Sequence, residues 1–149
     1  MATMKALAYK ALGKIVLEDR PVPKISSPNQ VLVQVIACGI CGTDVKILEG
    51  KHAVGDNAVL GHEFVGTVKE VGSGIITLKV GDRVAVDNSL RCGICEFCRS
   101  GMSSQSHWLK DKSIGIFQDG GYAEFCVLPE NACYKVPDDI DDITATQVE

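Results

Sequence analysis

Across the first two-thirds of the chain, short apolar runs alternate with glycine-containing breaks. Residues 5–10, 15–18, 31–36, 64–71 and 83–86 are rich in β-branched residues or alternate apolar with polar positions, the two-residue period of a half-buried strand. Gly13, Gly39, Gly50, Gly72-Ser73-Gly74 and Gly81 punctuate them. A short helix is predicted over 43–49, capped by Thr43 or Asp44 and closed by Gly50. Strand-like sequence returns at 121–128 and 132–136. After Pro137, the acidic residues Asp138, Asp139, Asp141 and Asp142 lead into a predicted helix over 143–149, since carboxylates are favourable at a helix start. Many short strands and few helices predict a mainly β, barrel-like domain.

Residues 91–112 break this pattern. They are rich in cysteine, serine and glycine and show little apolar periodicity. Such a segment buries too little apolar surface to offset its own ordering, so a ligand is predicted to fold it. The sequence has no internal repeat and no low-complexity segment.

Composition narrows the function classes. The 149 residues suffice for one domain with a proper core, and 46% hydrophobic with 23% charged residues is ordinary for a globular chain. A formal charge of −4 provides neither a basic face for nucleic acid nor a polybasic membrane patch. No apolar run approaches the roughly 20 residues of a membrane-spanning helix. The start, Met1-Ala2-Thr3-Met4-Lys5, has no apolar stretch of a secretory signal, so a cytoplasmic location is expected. Seven cysteines are many for such a chain, and in a reducing compartment clustered cysteines point to metal or catalysis before disulfides.

Two constellations carry the chemistry. Cys41 follows the predicted strand 31–36, and Gly61-His62-Glu63 stands just before the strand 64–71. Thiolate, imidazole and carboxylate are all zinc donors, and a mixed set of three is typical of a catalytic site, which keeps one position open. Read one at a time, a His beside a Glu is more often a hydrogen-bonded surface pair, and a single Cys a small buried hydrophobe. Cys92, Cys95 and Cys98 form the second constellation, at every third position on a glycine-bearing loop, where three thiolates can converge on one ion. An iron–sulfur reading fails, because Met102 and Ser103 stand where a fourth cysteine and a proline are wanted. A zinc ribbon pairing Cys38 and Cys41 with Cys92 and Cys95 would leave Gly61-His62-Glu63 unexplained.

Four blocks in register resemble the zinc-containing alcohol dehydrogenase family, within the medium-chain dehydrogenases. They are Ala37-Cys38-Gly39-Ile40-Cys41-Gly42-Thr43-Asp44; Gly61-His62-Glu63-Phe64-Val65-Gly66 with Gly72 and Ile75; Val80-Gly81-Asp82-Arg83-Val84; and Gly120-Gly121-Tyr122-Ala123-Glu124-Phe125. The resemblance implies a GroES-like twisted β-barrel with short helices over 1–149, with a zinc-binding lobe at 91–112. It implies a zinc-dependent dehydrogenase, of alcohols or of polyols, with zinc as Lewis acid and NAD or NADP as hydride acceptor.

By that resemblance Cys41 and His62 are direct zinc ligands. Glu63 is either a third ligand, as in polyol dehydrogenases, or a carboxylate beside the site. Asp44 would hydrogen-bond His62 and fix its tautomer, and Thr43 would offer its hydroxyl to the substrate oxygen. Glu149 matches a glutamate that approaches the zinc in polyol dehydrogenases. The family closes its lobe with a fourth cysteine, and here that place holds Ser106. The lobe could be weakened, empty or completed by another group such as His107.

No Gly-x-Gly-x-x-Gly run follows a strand and opens a helix, so the residues that would bind the dinucleotide are not expected here. The resemblance places a nucleotide-binding domain after this chain's last residue. A face left without that partner would expose apolar surface and favour homo-oligomers. The reading from another class is a zinc-binding interaction module without catalysis, which calls for a closed four-ligand shell.

Overall fold

The computed structural model of the chain describes residues 2–102 and 105–148. Strands β1 (Thr3–Ala11) and β2 (Lys14–Pro21) make a two-stranded antiparallel ribbon. Strands β3 (Gln30–Cys38), β4 (Phe64–Val71), β5 (Arg83–Val86), β6 (Phe125–Pro129) and β7 (Cys133–Lys135) form an antiparallel sheet in the order β6-β3-β4-β5-β7. The sheet curls as half a barrel. Irregularities in the β3–β4 ladder at Leu32/Val33 and Val35/Ala37 add to its bend. The ribbon joins the rest through bridges from Ala6 to Ala123 and from Ala8 to Val59. Short helices α1 (Gly42–Leu48), α2 (Glu96–Arg99) and α3 (Asp142–Ala145) punctuate the strands. The mainly β class expected from the pattern is what the chain adopts.

The pattern also explains which faces are covered. In β1 Met4, Ala6 and Ala8 point inward while Thr3 and Lys5 face solvent, and Val59 closes that small core. The main core lies under the sheet, where Val31, Val33, Phe64, Val68, Val84, Val86 and Leu128 pack together. Burying one such side chain contributes about 1.5–3 kcal/mol. A third cluster of Ile47, Leu60 and Ile116 fixes α1 against the loop that precedes β4.

Three boundaries differ from expectation, each for a hydrogen-bonding reason. Residues 121 and 122 leave the sheet because their backbone is tied elsewhere: Gly121 and Tyr122 donate to the carbonyls of Gly61 and Leu60, and Leu7 donates to that of Tyr122. Helix α1 is capped by Cys41, not by Thr43 or Asp44, and Asp44 sits at the third helical position, closing a capping box back to the Cys41 amide. Helix α3 is a single turn capped by Asp141, whose carboxylate accepts the Thr144 amide at 2.9 Å.

A carboxylate just past the far end of β6 helps to hold the loop after β4. Glu130 accepts the amides of Ile76 and Thr77 and the Thr77 hydroxyl. The Thr77 bonds lead in holding its pKa below the ordinary 4.5. A depressed folded-state pKa gives stability that is present above 4.5 and lost as pH falls through the folded value. Glu130→Gln is therefore expected to lower stability near neutrality and to flatten its decline in acid. Urea midpoints measured between neutral pH and acid check this, and parallel curves for the two proteins would refute it.

Candidate metal centre

In the β3–β4 ladder Cys38 pairs with Phe64, so the end of one strand lies beside the start of the other. The residues just after Cys38 and just before Phe64 therefore emerge at the same edge, and Gly39 extends the ladder by donating to the Glu63 carbonyl at 2.7 Å. This register brings Cys41, His62 and Glu63 together: one donor atom from each lies within 4.8 Å of the other two. His62 is buried, and Cys41 and Glu63 are half-buried. A Cβ on Gly39 would stand 2.7 Å from a Glu63 carboxylate oxygen, so the missing side chain makes room for that carboxylate.

Asp44 lies behind this group. Its Oδ2 accepts the Cys41 amide at 2.9 Å and the Tyr122 hydroxyl at 3.0 Å. Its Oδ1 stands 3.8 Å from His62 Nδ1, too far for a hydrogen bond, and both atoms are buried without a partner. The expected bond from His62 to Asp44 is thus absent. The capping box and Tyr122 draw the carboxylate toward the start of α1 instead. The buried imidazole, grouped with a thiol and a carboxylate, fits a cation site by the chemistry of its donors.

Tyr122 is the residue that sequence reasoning missed as a functional group. Burial, and then the Asp44 carboxylate, push its phenol far above the ordinary value, so it stays a donor. It also lies within 3.0 Å of the Gly39 carbonyl. Its only signal in the sequence was its place in the block beginning at Gly120. Burial first, then Asp44, pushes the Cys38 thiol up to about 12, which keeps it neutral. Thr43 is half-buried in the first turn of α1. His52 is exposed, with Nδ1 2.7 Å from the Ala53 carbonyl, as a surface histidine would be. Cys126 and Cys133 are buried core residues, as their strand positions suggested. Glu149 lies outside the described residues.

The second constellation is equally local. Cys92 lies in the loop after β5, Cys95 caps α2 and Cys98 sits within it. Their sulfurs lie within 4.8 Å of one another, with Cys92 and Cys98 at 3.9 Å. Backbone amides, that of Cys98 first and that of His107 next, lower the Cys95 thiol to about 6. Ser106 is buried and its Oγ accepts the Cys92 amide at 3.2 Å. His107 turns toward α2 instead, its ring edge against Phe97 at 5.5 Å and Nε2 3.8 Å from Glu96. Among the described residues the donor group consists of the three thiols.

Fold and site define a class before they suggest a substrate. Residues 27–138 match the alcohol dehydrogenase GroES-like domain family, and the chain belongs to it. Among curated relatives, D-xylulose reductase A of Aspergillus niger is 41% identical over 139 residues, covering 91% of this chain and 38% of that protein. Acetophenone reductase from Geotrichum candidum NBRC 4597, solved in complex with NAD, superposes with a TM-score of 0.86 at 33% identity, over 96% of this chain and 43% of that one. The thermostable alcohol dehydrogenase from Pyrobaculum aerophilum, with cobalt and zinc bound, gives a TM-score of 0.87 at 29% identity, over 99% of this chain and 45% of that one. The chain spans about two-fifths of the length of the curated relatives it matches. Among the described residues, no helix is long and apolar enough to cross a membrane.

Proposed function

We propose that this chain is the zinc-binding catalytic domain of an oxidoreductase that transfers hydride between a secondary alcohol or polyol and NAD or NADP. The observation that carries the reading is the meeting of one thiol, one imidazole and one carboxylate at the β3–β4 edge. Three such donors hold a catalytic zinc while leaving a position for substrate. Cys41 and His62 hold the ion, with Glu63 as the third donor. Zinc supplies a Lewis acid there, lowering the pKa of an alcohol oxygen as it does that of water.

The chain's own residues orient the ligands and handle the proton. The Asp44 carboxylate, 3.8 Å from His62 Nδ1, favours a proton on that nitrogen and leaves the other free as a donor. Tyr122 and the Cys41 amide hold Asp44 in place. Thr43, two positions beyond Cys41, offers a hydroxyl that can take up the proton from the substrate oxygen and pass it on.

D-xylulose and acetophenone, named in two of the relatives, are both ketones whose reduction gives secondary alcohols, which favours that substrate class. Residues 1–149 act as one GroES-like domain, with the lobe at 91–112 holding a second zinc through Cys92, Cys95 and Cys98. The nicotinamide nucleotide is carried outside these residues. Seven cysteines, all free, suit a reducing compartment, which favours the cytoplasm.

Elemental analysis of the purified chain tests the reading. About two zinc ions per chain are expected, falling by one in Cys41→Ser and by one in Cys92→Ser. Full zinc retention in Cys41→Ser would remove the catalytic reading. A cobalt-loaded Cys41 site whose spectrum ignores added alcohol would favour a non-catalytic zinc module instead.

A further inference from the structure

The lobe at 91–112 has three good zinc ligands and a fourth side that the described residues do not close. Cys92 and Cys98 sulfurs stand 3.9 Å apart. Two thiolates on one tetrahedral zinc, each bonded at about 2.3 Å, lie about 3.8 Å apart, so the pair is already spaced for the metal. Cys92 Sγ further accepts the Cys95 amide at 3.3 Å, which fixes its direction. The three cysteines are half-buried, so the group has access to solvent.

Among the described residues, Ser106 is engaged elsewhere and His107 lies outside the donor group of three thiols. Ser106 Oγ accepts the Cys92 amide, and a neutral hydroxyl is a poor zinc ligand. The His107 ring packs on Phe97 and its side chain is 55% exposed beside Glu96. Closed structural zinc sites use four protein ligands, whereas three leave a position for a small molecule.

We propose that the lobe is an open three-thiolate zinc site, whose fourth position takes water or a small thiol and whose metal exchanges readily with the surroundings. The inference rests on the reading that Cys92, Cys95 and Cys98 hold zinc. Its chemistry is ligand exchange alone: an incoming thiol loses its proton to solvent, displaces water and forms one Zn–S bond, with no change of oxidation state. Ser106 then acts by holding the Cys92 backbone, not as a ligand.

Zinc release from the intact chain to 4-(2-pyridylazo)resorcinol tests it, with Cys92→Ser used to mark which fraction belongs to the lobe. The lobe zinc is expected to leave rapidly in the natural sequence. Ser106→Cys closes the shell with a fourth thiolate and is expected to slow release by roughly tenfold or more. Ser106→Ala, which adds no ligand, should keep the lobe zinc and its fast release. In cobalt-loaded protein, 2-mercaptoethanol should raise the thiolate-to-cobalt absorption of the natural sequence and leave Ser106→Cys unchanged.

Loss of the lobe zinc in Ser106→Ala would mean that three thiolates do not hold the metal without the Ser106 hydroxyl, and would overturn the proposal. Release from the natural sequence as slow as from Ser106→Cys would overturn it too. If Cys92→Ser removes no zinc, the lobe holds none and the underlying reading fails with it. Should Cys92→Ser not fold, the comparison of Ser106→Cys with the natural sequence still decides, because the two differ by one atom.

Discussion

Gly115→Ala is expected to lower the stability of the domain by about 3–5 kcal/mol, an effect at the upper end for single substitutions. Two costs combine. Gly115 has φ +70°, a left-handed conformation that an L side chain occupies at a penalty of about 1–2 kcal/mol. Its added Cβ would also stand 2.1 Å from the Gly61 carbonyl oxygen and 2.9 Å from the His62 amide nitrogen. Those are backbone atoms, and the Gly61 carbonyl is already held by the Gly121 amide at 2.7 Å, so they have little room to retreat. The displaced peptide carries His62, so zinc held through Cys41 and His62 should weaken in the same variant. Gly81→Ala separates the two costs. Gly81 has φ +93° but open space where a Cβ would go, so only the backbone penalty applies and the zinc content should not change. Urea unfolding with zinc analysis of both variants checks this. Equal losses in the two would mean that the close approach to Gly61 contributes nothing.

That comparison also marks where the sequence was legible and where it was not. The strands could be read because they are half-buried: Met4, Ala6 and Ala8 alternate with outward residues, and Phe64 opens a run of strand-forming residues flanked by turns. The donor trio could be read because each of its members adjoins a strand end, and a single β3–β4 register suffices to bring them together. What failed was the detail set by long-range hydrogen bonds. Nothing near Asp44 in sequence announces Tyr122, 78 residues away, whose hydroxyl competes for its carboxylate. For the same reason the expected bond from His62 to Asp44 did not form, since the capping box and the phenol had already oriented the acid. The departure at Ser106 was plain from spacing, but its consequence was not. Only the fold shows that the hydroxyl is buried and engaged with the Cys92 amide while His107 turns toward Phe97.

Asp44→Ala should therefore damage both stability and metal binding, and the pair of effects can be taken apart. Asp44 is buried, and its Oδ2 receives two hydrogen bonds, one from the Cys41 amide and one from the Tyr122 hydroxyl. Hydrogen bonds to a charged group contribute about 1.5–3 kcal/mol each, and removing the acceptor leaves both donors unpaired. A loss of about 3–5 kcal/mol is expected, because the two donors share one oxygen and their contributions overlap. The same change takes away the carboxylate nearest His62 Nδ1, so zinc affinity at the Cys41 site should fall by about 10–100-fold. Asp44→Asn keeps an oxygen for the capping box and Tyr122 while removing the charge, so it should lose less stability and still bind zinc weakly. Tyr122→Phe does the converse. It leaves the carboxylate facing His62 and removes one hydrogen bond, costing about 1–2 kcal/mol with a smaller change in zinc affinity. Zinc titrations on the three variants, alongside urea midpoints, give the two readouts independently. If Asp44→Asn binds zinc as tightly as the natural sequence, the charge beside His62 is not what orients it, and Asp44 acts only through the capping box of α1 and its bond from Tyr122.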